Sequence, residues 1–149
     1  YFTEYKFTHP TPNDFKRIAE KVSVAQLDWY IIDWTQTTNT IDYAIKNMSE
    51  TSAGTSVTLE RIGRMPMPLD ILVQYEDGSV ETYYIPLRMM HFVKENPFNE
   101  IKRTVVSDWA WAIPDYELVL PKKGVKQIVI DPTGMMADVN RENNNYIKK

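Results

Sequence analysis

The residues that could carry catalytic or metal chemistry in this 149-residue chain are few and widely spaced. Its two histidines, His9 and His91, lie far apart, and the chain contains no cysteine. A protein zinc site usually draws on His and Cys at close spacing, such as i and i+4 on a helix or Cys-x-x-Cys. Neither spacing occurs. We therefore expect His9 to lie in a loop and His91 at the end of a strand, with no metal bound by either.

Other catalytic signatures are also missing from the sequence. It has no Gly-x-Ser-x-Gly nucleophile elbow and no Gly-x-Gly-x-x-Gly phosphate-binding loop. Carboxylates are plentiful, so a glycosidase-like pair is conceivable on composition alone. Asp28 and Asp33 fall on the polar side of a predicted helix, and Glu76 and Asp77 fall at a predicted turn. We expect all four to be solvated surface residues.

Oxygen-bearing side chains cluster in "DPTGMMADVNRENN" near the end of the chain. A loop of this kind could hold calcium, although its spacing is not that of an EF-hand. The alternative, which we favour, is a turn over Asp131 to Gly134 after the last strand. The sequence leaves open whether a cation binds to the group Asp131, Asp138, Asn140 and Glu142.

Aromatic residues offer a different kind of site. Trp109 and Trp111 in "SDWAWAIP" would share one side of a strand, and Tyr84 lies in a predicted hairpin. An exposed row of such rings could stack on sugars. Aromatic side chains also dominate cores and interfaces. We favour a core or interface role and keep Trp109, Trp111 and Tyr84 as a candidate aromatic binding surface.

Composition and charge narrow the class of protein. Hydrophobic residues make up 43% of the chain and charged residues 25%, which are globular values. The net charge of −3 and pI near 5.4 provide no basic patch for nucleic acid or anionic membranes. No apolar run reaches the ~18 residues of a transmembrane helix, and no signal-peptide pattern opens the chain. Because it begins with Tyr1, we expect a piece of a longer or processed protein.

The first 38 residues are patterned as two short helices. Thr11 is a predicted N-cap, with Pro12 at the first helical position and Asp14 completing a capping box. Each helix carries an apolar stripe at i, i+3, i+4 and i+7 spacing. The stripes are Phe15, Ile18, Ala19 and Val22 in the first helix, and Leu27, Tyr30, Ile31 and Trp34 in the second. Because two helices of this length bury too little surface alone, each stripe needs a partner.

From Ile41 onward the periodicity changes to two. "PLDILVQYEDGSVETYYIPL" predicts a hairpin whose Asp77-Gly78 forms a two-residue type I′ turn. Its Leu69, Ile71, Val73 and Tyr75 would share one face. "TSVTLERIG", "DYELVLPKK" and "VKQIVIDP" predict further strands. About seven short strands indicate a mainly β fold, an antiparallel immunoglobulin-like β-sandwich over 39–149 preceded by the helical segment 1–38. A partly open barrel is the alternative.

An ordered series of segments resembles a known family. "FKRIAEKVS", "LDWYIIDWTQTTNTIDY", "VTLERIGRMPMPLDILVQYEDGS", "IPLRMM", "DWAWAIPDYELVL" and "IVIDPTGMMADVNRENN" run in sequence from about Phe7 to Asn144. Together they resemble the C-terminal part of aminopeptidase-N-type zinc metallopeptidases, in versions from Bacteroidetes-like bacteria. The resemblance implies that 1–38 is the tail of a helical catalytic domain and 39–149 an accessory sandwich.

The same resemblance limits what can be transferred. The family binds zinc through His-Glu-x-x-His and recognises the substrate N-terminus through Gly-x-Met-x-Asn, and neither motif occurs here. We therefore assign no catalytic, cofactor or metal residue to this fragment, and expect zinc only in the parent enzyme. The implied partner is the missing catalytic domain. Periplasmic or extracellular location is expected for the parent by resemblance alone.

The helical stripes would leave an apolar face that promotes self-association of the isolated fragment. The competing functions are a carbohydrate- or peptide-binding sandwich that uses the aromatic residues, and, more remotely, an independent enzyme built on a carboxylate pair.

Overall fold

Eight β-strands and three short α-helices make up the secondary structure of residues 1–148, which the computed structural model describes. The helices are α1 (Phe2–Tyr5), α2 (Pro12–Ser23) and α3 (Asp28–Gln36). The strands are β1 (Tyr43–Thr51), β2 (Gly54–Arg61), β3 (Leu69–Tyr75), β4 (Val80–Ile85), β5 (Arg103–Val105), β6 (Asp115–Leu120), β7 (Val125–Ile130) and β8 (Asn145–Ile147). Short 3-10 turns span Arg88–Met90 and Arg141–Asn144. The predicted mainly β class is confirmed.

The strands form two sheets that share one hydrophobic core. One sheet has the order β1-β2-β6, and the other has the order β5-β4-β3-β7-β8. All neighbouring strands pair antiparallel except β4 and β5, which are parallel. The enclosed cluster draws side chains from both sheets, among them Tyr43, Val57, Leu59, Leu69, Ile71, Leu118 and Ile128. The chain passes between the sheets after β2, β5 and β6, as expected of a β-sandwich.

The β3–β4 hairpin is present where the sequence predicted it, but its turn differs. Tyr75 and Ser79 face each other, with the Tyr75 N–H donating to the Ser79 carbonyl at 2.9 Å. The loop therefore has three residues, and only its last, Gly78, takes a positive φ, of 84°. A type I′ turn needs positive φ at both central residues. The prediction of a two-residue Asp77-Gly78 turn is therefore wrong.

The start of α2 follows its sequence signals. The Asp14 carboxylate accepts from the Thr11 N–H at 2.9 Å, and the Thr11 hydroxyl accepts from the Asp14 N–H at 3.4 Å. This reciprocal pair is the predicted capping box, with Pro12 as the first helical residue. The helix ends at Ser23, and the C-cap residue Val24 adopts a left-handed conformation with φ 60°. The short helix α1 has no counterpart in the sequence prediction.

The helical segment rests on the sandwich through α3 and the loop before it. Tyr30 packs against the shared core. The Gln26 N–H donates to the Met90 carbonyl at 3.0 Å, so the loop between α2 and α3 contacts the turn that follows β4. Of the first predicted stripe, Ile18 is buried while Phe15 and Val22 are exposed. The apolar face of α2 is therefore only partly covered.

No helix within residues 1–148 has the length and apolar character needed to cross a membrane.

Replacing Val24 by glycine should stabilise the fold. A β-branched residue in the left-handed region is strained, and the Val24 side chain is exposed, so its loss removes little packing. We expect the free energy of unfolding to rise by about 1 kcal/mol, measured by urea unfolding with far-UV circular dichroism. Val22→Gly is the matched control: the same change inside α2 should lower stability by roughly 0.5 kcal/mol. A loss of stability in Val24→Gly would contradict the strain.

Candidate functional site

A surface cleft lies between the segment that follows β4 and the segment that precedes β6. It has a volume of about 420 Å³. Its lining is mostly apolar and consists of Leu87, Arg88, Met89, His91, Trp109, Ala110, Trp111 and Ala112. Two of the three aromatic residues that the sequence singled out therefore meet here, which makes this cleft the candidate functional site.

Trp109 joins the cleft to the core. Its side chain is only 4% exposed and belongs to the shared hydrophobic cluster. The indole makes an edge contact with Tyr43, at a centroid distance of 5.6 Å, and a tilted contact with Tyr116 at 5.2 Å. Its Nε1–H donates to the Ile113 carbonyl at 2.7 Å. Because both the ring and its single donor are occupied, Trp109 contributes a rigid apolar wall.

The two segments that line the cleft are held together by their backbones. Leu87 and Trp109 form an isolated parallel bridge, and the Trp109 N–H donates to the Pro86 carbonyl at 3.2 Å. The Ile113 N–H donates to the Ala110 carbonyl at 2.9 Å and closes a turn that carries Trp111. The spacing of the cleft walls is therefore set by hydrogen bonds that do not depend on the side chains exposed in it.

Trp111 projects from this turn with 65% of its surface exposed. The Arg61 guanidinium, at the end of β2, donates to the Trp111 carbonyl and to the Gly63 and Arg64 carbonyls at 3.0 and 3.2 Å. One side chain thus fastens the turn to the neighbouring strand end. Arg61 positions Trp111 although it does not line the cleft.

The polar residues of the cleft are Arg88 and His91. The Arg88 Nε–H donates to an Asp108 carboxylate oxygen at 2.7 Å, and the Arg88 side chain is otherwise largely exposed. This hydrogen bond holds the pKa of the Asp108 carboxyl below its ordinary value of 3.8. His91 ends the 3-10 turn in a left-handed conformation, with φ 48°. It lies in a loop before β5 and not at the end of a strand as predicted.

The exposed row of Trp109, Trp111 and Tyr84, which was the alternative to the favoured core or interface role, does not form. Within residues 1–148, neither tryptophan lies in a strand, because β6 begins only at Asp115. Trp109 is buried, and Tyr84 is fully buried in β4. Trp111 alone remains exposed. The sequence pattern predicted a strand here because alternating tryptophans in a short segment are typical of a strand. The backbone hydrogen bonds that form a turn instead are not visible in that pattern.

Tyr84 is buried on the face of its sheet that points away from the shared core. The Arg103 guanidinium carbon lies 4.2 Å from the centre of the Tyr84 ring, and the Tyr84 hydroxyl contacts the Met90 sulfur at 3.7 Å. Burial raises the pKa of the Tyr84 hydroxyl. The buried Asp70 forms ion pairs with Lys94 and Arg103 in the same layer. Tyr84 is therefore part of a covered structural layer.

The acidic residues near the end of the chain serve as local anchors. The Asp131 carboxylate accepts from the Met136 N–H at 2.8 Å, and the predicted turn closes with the Gly134 N–H donating to the Asp131 carbonyl at 2.9 Å. The Asp138 carboxylate accepts from the N–H groups of Tyr43, at 3.0 Å, and Asn140, at 2.8 Å.

The anchors do not converge on one point. Asp131 and Asp138 each cap their own stretch of backbone, and Glu142 is exposed. No group of three or more His, Cys, Asp or Glu side chains placed to hold a metal ion occurs in residues 1–148. His9 is exposed and far from His91 in the sequence.

The sequence patterns did not predict a buried polar cluster around Glu81. Glu81 points into the sandwich, where its carboxylate accepts from the Tyr83 hydroxyl at 2.8 Å and pairs with Lys122 at 3.0 Å. Burial opposes its ionisation, but Tyr83 and Lys122 outweigh that effect and lower the pKa of Glu81. Burial, with the hydrogen bonds to Tyr75 and Glu81, raises the pKa of Tyr83. The signal in the sequence was Glu81, the one charged residue of β4.

Comparison of the chain with models of known protein families, with curated proteins and with solved structures finds no match.

The Asp108 carboxyl should titrate below its ordinary range. Because its folded-state pKa is lowered, the Arg88–Asp108 pair stabilises the fold above the unfolded-state value of 3.8, and this contribution is lost as the pH falls through the lower folded-state value. In a carboxyl-carbon NMR titration, Arg88→Gln should move the pKa of Asp108 back toward 3.8. Asp77, whose pKa is lowered by hydrogen bonds from Ser79, is the control and should not change. An unchanged Asp108 would contradict the pairing.

Proposed function

We propose that this chain is the non-catalytic accessory β-sandwich of a zinc aminopeptidase, joined to its catalytic domain through the helical segment 1–38. The proposal comes from the ordered sequence resemblance, whose implied architecture of helices followed by a β-sandwich agrees with the fold. In this proposal the parent enzyme holds zinc and releases N-terminal residues, and this chain braces the catalytic domain.

The observation that carries the proposal is the uneven covering of the helices. Tyr30 packs on the sandwich core, whereas Phe15 is 50% exposed, Val22 79% and Trp34 48%. Phe2 and Phe7 are also exposed. Apolar side chains at this density on one segment are typical of a surface that another protein or domain covers. The proposed occupant is the catalytic domain of the same polypeptide.

A second candidate function is ligand binding at the cleft. The specific observation in its favour is Trp111, a large aromatic side chain that is mostly exposed at an apolar cleft and is held there by Arg61. Aromatic residues in this setting are frequent at binding sites.

The peptidase assignment is tested with aminoacyl fluorogenic substrates. We expect no turnover by this chain with or without added zinc. The coding sequence upstream of Tyr1 should encode a His-Glu-x-x-His motif, and the protein expressed from that longer reading frame should bind zinc and release N-terminal residues. Turnover by the short chain, or a longer frame without the motif, would contradict the proposal.

The docking role of the helices predicts that the isolated chain self-associates. Static light scattering over increasing concentration should show a mass above that of the 17.4 kDa monomer. Replacing Phe15 and Trp34 by serine should restore a monomer, because both changes remove exposed apolar surface. Val119→Ser is the control, since Val119 is exposed on β6 of the sandwich and its change should not affect association. A wild-type chain that stays monomeric at high concentration would contradict self-association through the exposed apolar residues of the helical segment.

A further inference from the structure

We infer that the cleft beside Trp111 binds an apolar side chain carried next to a carboxylate, as in the C-terminal residue of a peptide. This inference specifies the second candidate function, ligand binding at the cleft, and is independent of the peptidase assignment. It rests on the shape and lining of the cleft, on the charge of that lining and on the hydrogen-bonding groups left for a ligand.

The apolar half of the ligand follows from the lining. Leu87, Met89 and the two tryptophans surround a volume of about 420 Å³, which is within the range of small-ligand pockets. Trp109 is immobilised by the core, and the backbone of Trp111 is fastened by Arg61. A largely preformed apolar site loses little conformational freedom when a side chain enters it. An aromatic or large aliphatic group suits such walls.

The carboxylate follows from the charge of the cleft. Its lining contains Arg88 and no acidic residue, although the chain as a whole carries a net charge of −3. Asp108 accepts from the Arg88 Nε–H, and this contact orients the guanidinium. Within residues 1–148, the terminal nitrogens of Arg88 make no hydrogen bond, and its side chain is 82% exposed. The two terminal guanidinium nitrogens can each donate to one oxygen of a carboxylate.

A sugar fits the same cleft less well. Recognition of a sugar requires hydrogen bonds to several hydroxyl groups in addition to stacking on an aromatic ring. Three of the lining side chains, Arg88, His91 and Trp111, can form hydrogen bonds to a ligand, and Trp111 has only one donor. The Trp109 donor already binds the Ile113 carbonyl. A ligand with one carboxylate and one apolar group can pair with Arg88 and fill the apolar part of the cleft.

The experiment compares three probes on the intact chain. N-acetyl-L-phenylalanine has the apolar group and the carboxylate, its amide lacks the charge, and cellobiose represents a glycan. Titrations followed by backbone and indole NMR shifts should show the acid binding at 87–91 and 109–112, at least about tenfold more tightly than the amide. Trp111→Ala should weaken acid and amide alike by about five- to tenfold. Trp34→Ala, which removes an exposed tryptophan elsewhere, should leave both affinities unchanged.

The charge contribution has its own variant pair. Arg88→Gln should abolish the preference for the acid over the amide, whereas Arg64→Gln, an exposed arginine outside the cleft lining, should preserve it. Equal affinity for acid and amide in the wild-type chain would overturn the carboxylate assignment. Tighter binding of cellobiose, or shifts confined to residues outside the cleft, would overturn the ligand class. Absence of binding by all three probes would overturn the site itself. Because none of these outcomes involves peptidase activity, they are separable from the test of the accessory role.

Discussion

The packing of one indole, that of Trp109, connects the interior of this protein to its surface. The ring lies against Tyr43 from the β1-β2-β6 sheet and against Tyr116 from the same sheet, while its backbone pairs with the chain that leaves β4 of the other sheet. The Trp109 side chain fills the core, and its backbone hydrogen bond joins the two segments that line the cleft, so core packing fixes one wall of the cleft. Interiors are close-packed, so a wall built this way resists displacement.

Buried carboxylates add a second kind of constraint. Asp138 secures the C-terminal loop to the first residue of β1, Glu81 binds a tyrosine and a lysine within the sandwich, and Asp70 pairs with basic residues in the outer layer. Each carboxylate is satisfied by hydrogen bonds or ion pairs, which is the condition for burying such a group. The three lie in different regions of the fold. They restrict how the loops can be arranged, because an alternative arrangement would leave a buried charge without its partner.

The helical segment is less completely enclosed than the strands. Its contacts with the sandwich centre on Tyr30 and on the loop that meets Met90, and much of its apolar surface faces outward. This segment and the cleft represent two different surfaces. The first is extended and apolar, which suits docking to a large partner. The second is small, concave and bordered by one arginine, which suits a short group. Their shared neighbour is the 88–91 segment, which contacts the α2–α3 loop and also lines the cleft.

Local interactions in this protein were predictable from the sequence alone. Four features depend on residues that are close together in the chain and follow from the types and spacing of those residues. They are the capping box of Thr11 and Asp14, the helix α3, the β3–β4 pairing and the turn at Asp131. The mainly β class follows from the same patterns.

Only the tertiary structure decided which faces are covered. Residues on both faces of β4 are buried, because the chain around Lys94 and Arg103 folds over Tyr84. The same limitation applies to the tryptophans: Trp109 is enclosed and Trp111 is exposed because of hydrogen bonds to Pro86 and Arg61, which are far from them in sequence. Burial depends on what packs over a residue, and its immediate sequence neighbours do not specify that.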